Sequence, residues 1–381
     1  MPRNIYDDDH EALRASAREF IDRVMRPRAE EMIRDKVIPR DIWQAAGKQG
    51  FFGFDIPEAY GGAGVDDYRF NAVVAEEWAR FNMATSSCFG IHADVCPAYI
   101  VDLGTEEQKQ RWLPGIASGD LIIAIAMTEP SGGSDLAALK TTAVRDGDGW
   151  VLNGSKTFIT NGYQADLVIV AARTDASKGA KGITLFMVER GMEGFVNGRK
   201  LDKVGMDESD TAELFFENVR VPDENRLGEE GLGFIAMMQR LPQERIGSGI
   251  ANVAHAKAIL EETIQYAKDR KAFGQSIGNF QFNKFLLAEL VTKIEVAESY
   301  VDDCVMAHAT HELTAVDAAK AKWWSSQVQN DVLDACVQLH GGYGFMNEYR
   351  VGRAWRDARV TKIWAGSNEI MKELIGRDLG F

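Results

Sequence analysis

Basic charge is what this sequence is short of: 43 Lys and Arg stand against 57 Asp and Glu in 381 residues, a formal net charge of −14. A surface that grips nucleic acid or an anionic bilayer by its field needs the opposite balance, so neither partner is expected and an anionic ligand must be met by a local basic site. Long apolar runs are missing too. The longest, Leu121 to Met127, falls far below the ~20 residues that cross a bilayer, so no membrane span is expected. The four cysteines, Cys88, Cys96, Cys304 and Cys336, have no CxxC spacing, and the opening around Met1-Pro2-Arg3 and Asp7-Asp8-Asp9 lacks a secretory apolar stretch. Reduced thiols and a cytoplasmic location follow as the expectation. No GxGxxG follows a strand, which argues against a Rossmann unit, and there is neither an internal repeat nor a low-complexity tract.

Proline is absent from a whole region. All nine prolines lie at or before Pro242, and the remainder is rich in Ala, Leu, Glu, Lys and Gln, so a helical bundle is read from about residue 230 to the end. Within it, Leu286, Leu290, Ile294, Ala297, Val301 and Cys304 step by three or four and form one buried helical stripe. The middle differs. Apolar or β-branched runs at Leu121–Met127, Leu167–Ala172, Gly182–Val188 and Ala212–Phe216 read as strands, with further extended stretches around Thr141–Val144, Trp150–Leu152 and Thr157–Thr160. Asp146-Gly147-Asp148-Gly149 and Asn153-Gly154 supply the turns between them. Before these, Glu11–Met25 and Tyr68–Trp78 carry helical spacing, and Gly61-Gly62-Ala63-Gly64 interrupts the region. The division expected is a helical unit over 1–120, a β-unit over 121–228 and a helical bundle over 229–381. At 45% hydrophobic and 26% charged residues the chain can bury a full core in each.

The sharpest local string is Ala126-Met127-Thr128-Glu129-Pro130-Ser131-Gly132-Gly133-Ser134-Asp135, where a strand ends. Small residues and hydroxyls there let backbone amides approach a planar polar ligand or a phosphate. Four further strings accompany it: Phe158-Ile159-Thr160-Asn161-Gly162, Arg270-Lys271-Ala272-Phe273-Gly274, Gln338-Leu339-His340-Gly341-Gly342 and Ile363-Trp364-Ala365-Gly366-Ser367-Asn368-Glu369. In order and spacing the set resembles the acyl-CoA dehydrogenase flavoprotein family over essentially the whole chain. Leu241-Pro242-Gln243-Glu244-Arg245 and the C-terminal Asn368-Glu369-Ile370-Met371-Lys372-Glu373-Leu374-Ile375 are most similar to its long-chain branch.

The resemblance implies an N-terminal α-domain, a central antiparallel β-domain and a C-terminal four-helix bundle. It implies FAD as cofactor, an acyl-CoA substrate, electron-transfer flavoprotein as electron partner, a homo-oligomer with a tetramer expected, and a place in fatty-acid β-oxidation. Carried over by residue, Ile125, Ala126, Met127, Thr128, Ser134, Phe158, Ile159 and Thr160 line the flavin, with Thr128 and Thr160 as hydroxyl partners and Phe158 on its face. Arg270, Phe273, Gln281, Gln338, Leu339, His340, Gly341 and Gly342, with Ser367, Asn368 and Glu369, hold the rest of the cofactor, partly across a subunit boundary. Ser134, Lys181, Arg245, Ala365 and Gly366 lie on the acyl-CoA side. The chemistry agrees: a pyrophosphate suits a permanently charged fork such as Arg270 and backbone amides exposed by paired glycines.

Oxidising a thioester between its α and β carbons needs a base for the α-proton, an acceptor for the β-hydride and donors for the charge that grows on the thioester oxygen. Flavin N5 is the acceptor the resemblance implies. In much of the family the base is a glutamate just before a Gly-Thr or Gly-Ser pair, and here that position is Ala365. Either the protein is inactive or another group serves, and Glu244-Arg245 matches the alternative position used in the long-chain and isovaleryl branches. Glu244 is the expected base, and the Ala365 backbone amide together with a ribityl hydroxyl of FAD are the implied oxygen donors. Pro242 and Ile235 replace residues that many relatives place near substrate, which leaves acyl-chain length open. His308 and His311 have no cluster to complete a ligand set and are read as solvent-facing, so no metal is expected. Two other readings stand beside the dehydrogenase: an acyl-CoA oxidase or flavin monooxygenase that uses dioxygen, and a non-catalytic acyl-CoA or flavin-binding subunit.

Overall fold

Caps and turns set where the elements begin. A computed structural model describes residues 3–381. Helices come first: α1 (Asp8–Phe20), α2 (Ala29–Asp35), α3 (Arg40–Lys48), α4 (Arg69–Phe81), α5 (Met83–Gly90), α6 (Cys96–Leu103) and α7 (Glu106–Ala117). Asp7 and Thr105 close capping boxes on α1 and α7, and the Asn82 side chain accepts from the Thr85 amide at the start of α5. Between α5 and α6 the chain passes through a π-helical turn, Ile91–Val95, which carries the half-buried Asp94.

The strands are β1 (Ile123–Ala126), β2 (Thr142–Asp146), β3 (Gly149–Thr160), β4 (Leu167–Arg173), β5 (Ile183–Glu189), β6 (Phe195–Lys200), β7 (Thr211–Pro222) and β8 (Arg226–Leu227). They form one sheet in the order β6-β7-β3-β2-β4-β5-β8, with β1 beside β4. The sheet is mixed rather than wholly antiparallel: β1 runs parallel to β4, from Ile123 opposite Leu167 to Ala126 opposite Val170. The β2–β3 hairpin inserted between them in sequence gives the length that a parallel crossover requires. Asp146 to Gly149 makes that hairpin's turn. Asn153-Gly154 does not turn the chain. It is a bulge inside the single long strand β3, where the pairing with β7 slips between Leu152 and Gly154. A Cβ at Gly154 would lie 2.5 Å from Thr141 Oγ1 and 2.8 Å from its Cα, so only glycine fits.

The C-terminal part holds α8 (Gly233–Asp269), a short hairpin of β9 (Lys271–Ala272) and β10 (Gln275–Ser276), then α9 (Gln281–Ala309), α10 (Ala315–His340), α11 (Arg350–Ala358) and α12 (Asn368–Asp378). Helix α10 packs on α8, α9 and α12, a four-helix arrangement, and α11 caps one end. The stripe on α9 is buried at Leu290, Ile294, Ala297, Val301 and Cys304 and half-buried at Leu286. Helix α8 continues through Pro242, which removes one backbone donor at a cost of about 3 kcal/mol to an isolated helix; packing on both faces holds it.

One core fills the bundle, one the N-terminal helices and one the sheet interior. A further core joins Tyr99 and Trp112 of the helical unit to Ile169 and Leu185 of the sheet and to Met237 of α8. That seam is where the middle of the molecule meets the start of α8. All four cysteines are buried and unpaired, and no helix among the described residues is long and apolar enough to cross a membrane.

Candidate active site

Two strand ends are tied together first. The Thr157 amide donates to Thr128 O at 3.0 Å, which brings the loop after β1 against the end of β3. Beneath them lies a buried ion pair that motif reading had not singled out. Lys156, with no exposed surface, donates to Glu129 Oε1 at 2.9 Å and to Met127 O at 3.0 Å, while Glu129 also accepts from the Thr141 amide at 2.8 Å. Burial opposes ionisation of Glu129, but Thr141, the Lys156 charge and the Lys140 amide outweigh it and hold the carboxyl at about 2. Burial in turn drives Lys156 down to about 8 against the pull of Glu129.

Above this pair, Phe158 has φ 60° and is 68% exposed, while Asn161, also left-handed at φ 64°, is pinned by Nδ2 donation to Cys88 O at 2.9 Å. Met127 and Thr128 are half-buried and Ser134 is exposed beside them. The side chains of Ala126 and Ile159 instead fill the sheet core, so these positions offer only backbone to a ligand. Arg173, another residue without a motif, donates to Ala137 O at 2.7 Å and Gly179 O at 3.0 Å and thereby sets the exposed Lys181 loop beside the Ser134 segment.

The second group lies where α8 faces the segment before α12. Glu244 accepts from Tyr99 Oη at 3.4 Å. Burial pushes its carboxyl up to about 7; the Tyr99 hydrogen bond and Arg245 work against the rise, and the neighbouring Asp94 adds to it. Asp94 itself accepts from Gln243 Nε2 at 2.7 Å, Tyr68 Oη at 3.0 Å and Asn71 Nδ2 at 3.2 Å. One turn beyond Glu244, Ser248 Oγ accepts from Trp364 Nε1 at 3.3 Å, so the following residues, Ala365 (φ 51°) and Gly366 (φ 87°), lie against the same helix. Ser367 caps α12 through the Ile370 amide, and Glu369 is exposed in its first turn, where its carboxyl is lowered by backbone and Ser367 hydrogen bonds. Asn368 differs from expectation: it is buried and its Oδ1 is taken by Lys322 Nζ at 3.2 Å and Ser326 Oγ at 3.0 Å, so it supports the turn from inside.

A third group gathers at the other end of α8. The Arg270 guanidinium lies 5.7 Å from the Tyr343 ring centroid, with no carboxylate partner among the described residues. Phe273 is 95% exposed at the tip of the β9–β10 hairpin and meets Phe280, next to Gln281, edge-on. Gln338, Gly341 and Gly342 are exposed and Leu339 is half-buried; Gly341 has φ 59°, and a Cβ at either glycine would meet open space. The His340 ring is turned inward. It is buried, stacks on Tyr266 at 4.2 Å, and its Nδ1 bonds Cys336 O at 2.8 Å. The other histidine expectation also changes: His308 is half-buried with its ring edge-on to Tyr68 at 4.5 Å, and burial lowers it to about 4, while His311 is exposed. No group of three or more metal-ligating side chains occurs among the described residues.

Family models described as the acyl-CoA dehydrogenase N-terminal, middle and C-terminal domains match residues 7–120, 124–219 and 231–380. The chain belongs to the acyl-CoA dehydrogenase family. It is 47% identical to the long-chain specific acyl-CoA dehydrogenase, mitochondrial, of Sus scrofa over 99% of this chain and 88% of that protein. The crystal structure of an acyl-CoA dehydrogenase from Geobacillus kaustophilus superimposes with a TM-score of 0.97 at 43% identity, covering 99% of each chain. A glutaryl-CoA dehydrogenase from Mycobacterium smegmatis, solved in complex with FADH2, gives a TM-score of 0.92 at 28% identity over 98% of this chain and 95% of that one. Against the acyl-CoA dehydrogenase pattern, Tyr99 and Lys322 are what the motifs missed. Tyr99 sits in an apolar helix and Lys322 in Ala321-Lys322-Trp323, and inward-facing polar residues among apolar neighbours were the available signal.

Proposed function

We propose that Glu244 removes the α-proton of an acyl-CoA while the Ala365 amide donates to its thioester oxygen, in a chain organised as units 1–120, 121–228 and 229–381. The observation that carries this is a carboxyl raised to about 7, at the face of α8 one turn before the residue that anchors the Ala365 segment. A carboxylate near that value is half ionised at neutral pH and matched to proton abstraction from a carbon whose acidity rises when the carbonyl is hydrogen-bonded. The α C–H bond breaks, Glu244 takes the proton, and the electron pair becomes the new α,β double bond of a trans-2-enoyl-CoA.

FAD is the cofactor, and when bound it supplies the acceptor for the β-hydride. The residues fit it. Arg270, free of carboxylate partners, and the open Gly341-Gly342 backbone suit a pyrophosphate; Thr128, Thr160 and the exposed Phe158 suit a flat polar ring. Ser134 and Lys181 lie on loops joined through Arg173 and would meet the CoA moiety. Tyr99 and Arg245 keep the Glu244 carboxylate accessible to ionisation, and the apolar seam around Tyr99 excludes water from it.

We further infer a homo-oligomer, with a tetramer expected, because Phe273, Phe282, Phe285 and Phe345 are 58–95% exposed near the Arg270 group. No hydrogen bond, ion pair or ring contact among the described residues joins that group to the Thr128–Phe158 group, so a second copy is the natural bridge. Electrons then pass to electron-transfer flavoprotein, in the cytoplasm, where the four unpaired thiols stay reduced. The kinship favours long-chain substrates. Anaerobic addition of a series of acyl-CoAs to the purified protein tests the reading: flavin absorbance bleaches, most readily with long chains, and little peroxide forms on admitting air. Rapid peroxide formation makes it an oxidase, and no bleaching with any chain makes it a binding subunit.

A further inference from the structure

Lys322 is a lysine inside a helical bundle, and packing does not explain it. It lies on α10 with no exposed surface, and no carboxylate among the described residues is within ion-pair reach. The charge that acts on it most strongly is of the same sign. Arg245 of α8 is itself buried, its Nε has no partner, and its Nη2 is 3.9 Å from where a Cβ of Gly366 would stand. Burial and then Arg245 lower Lys322 to about 7, with only the exposed Glu369 pulling the other way. Two adjacent buried cations are costly, and an apolar residue at 322 would serve the core better.

What Lys322 does bond is the turn. Nζ donates to Gly366 O at 2.6 Å and to Asn368 Oδ1 at 3.2 Å, and Ser326, one turn along α10, donates to the same Oδ1 at 3.0 Å. Residues 365 and 366 are consecutive left-handed residues, φ 51° and 87°, and alanine does not adopt that conformation unaided. On the opposite side Trp364 is bonded to Ser248. The turn is therefore clamped from α10 and from α8 at once, with the Ala365 N–H between the clamps.

We propose that Lys322 is a positioning residue for the thioester oxygen donor: by holding Gly366 O and Asn368 it aims the Ala365 amide, and with Arg245 it places positive charge behind the oxygen where negative charge grows. This rests on the roles given above to Glu244 and Ala365. Donors fixed before the reaction stabilise developing charge without reorganising, and a donor displaced even slightly loses much of that effect. Binding of the ground-state acyl-CoA, spread over the whole CoA moiety, gains little from the same device.

The test uses FAD-loaded protein with a 3-thia acyl-CoA, whose sulfur at the β position leaves no hydride to transfer. Exchange of its α-hydrogen for deuterium in D2O, read by mass spectrometry at saturating ligand, measures proton removal by itself, and the 13C resonance of the bound thioester carbonyl reports the hydrogen bond to its oxygen. Lys322→Met is expected to slow exchange by about tenfold or more, move the carbonyl resonance toward its free value and leave Kd within about threefold. If Lys322→Met does not load FAD, Lys322→Gln, which removes the charge and shortens the reach to Gly366 O, is read in its place with the same criteria. Exchange within about twofold of the parent, or a loss of exchange matched by an equal loss of binding, overturns the role of Lys322. A parent protein that does not exchange, or a Glu244→Gln variant that exchanges as fast as the parent, instead removes the base assignment on which the role rests.

Discussion

In the proposed mechanism Glu244 is the residue on which the chemistry turns, and its environment gives it a pH signature. The ionised form is the base, so kcat/KM rises with pH and levels off above about 7. Tyr99 donates to the charged carboxylate and favours it, so Tyr99→Phe raises the Glu244 value and displaces the rising limb of the profile to higher pH. A profile that stays in place would remove Tyr99 from the account. Ala365→Glu adds a carboxyl to a position whose backbone amide is already present, in a left-handed residue beside buried Arg245, so added activity is not expected; steady-state turnover of that variant checks it. At this scale the motifs named Glu244, which the structure places beside Tyr99 with a raised carboxyl, and Arg270, which lies over the Tyr343 ring. At other positions in the same strings the side chain serves the interior. His340 and Asn368 stand in strings expected to hold the cofactor, yet His340 Nδ1 is engaged with Cys336 O and Asn368 Oδ1 with Lys322 and Ser326. Nothing in a string of letters distinguishes a polar atom turned inward from one turned outward.

Elements carry the site by bringing distant loops into register. The β1 and β3 ends depend on the Glu129–Lys156 pair, whose partners are 4% and 0% exposed. Lys156→Met leaves a buried carboxylate unpaired, and a loss of about 3–5 kcal/mol in urea unfolding, with reduced flavin content, is expected. Adding Glu129→Gln removes that stranded charge and recovers part of the loss, which separates an ion-pair effect from simple loss of packing. Gly154→Ala drives a methyl into the Thr141 backbone and destabilises the bulge that aligns Lys156, detectable as a lower Tm. The helical regions and most strands were readable from proline placement and hydrophobic spacing, while the individual helix boundaries were not. The parallel β1–β4 pairing and the Asn153-Gly154 bulge were not, because a strand's partner is set by tertiary packing and because Asn-Gly suits a hairpin and a bulge equally well.

For the whole molecule, the acidic excess favours solubility while FAD and acyl-CoA are themselves anionic, so the proposed function assigns their contacts to a few cations in place: Arg270, Arg245 and Lys181. If the exposed phenylalanines around the Arg270 group form the proposed interface, assembly and cofactor retention become one property. Replacing Phe282 and Phe285 together by Asp is expected to shift the protein to smaller species in light scattering and to lower its bound FAD in parallel. Unchanged mass with normal flavin would place the interface elsewhere. The three-part architecture was legible because composition changes along the chain, but the seam through Tyr99 that joins all three parts at Glu244 was not, since its residues come from segments far apart in sequence.

The base assignment meets its most direct test in a single-turnover measurement of flavin bleaching when FAD-loaded protein is mixed anaerobically with a long-chain acyl-CoA at pH 8. Glu244→Gln is expected to load FAD and bind acyl-CoA as the parent does, and to bleach about 100- to 10,000-fold more slowly. Bleaching within about twofold of the parent rate would contradict the account, because the α-proton would then be leaving to some group other than Glu244.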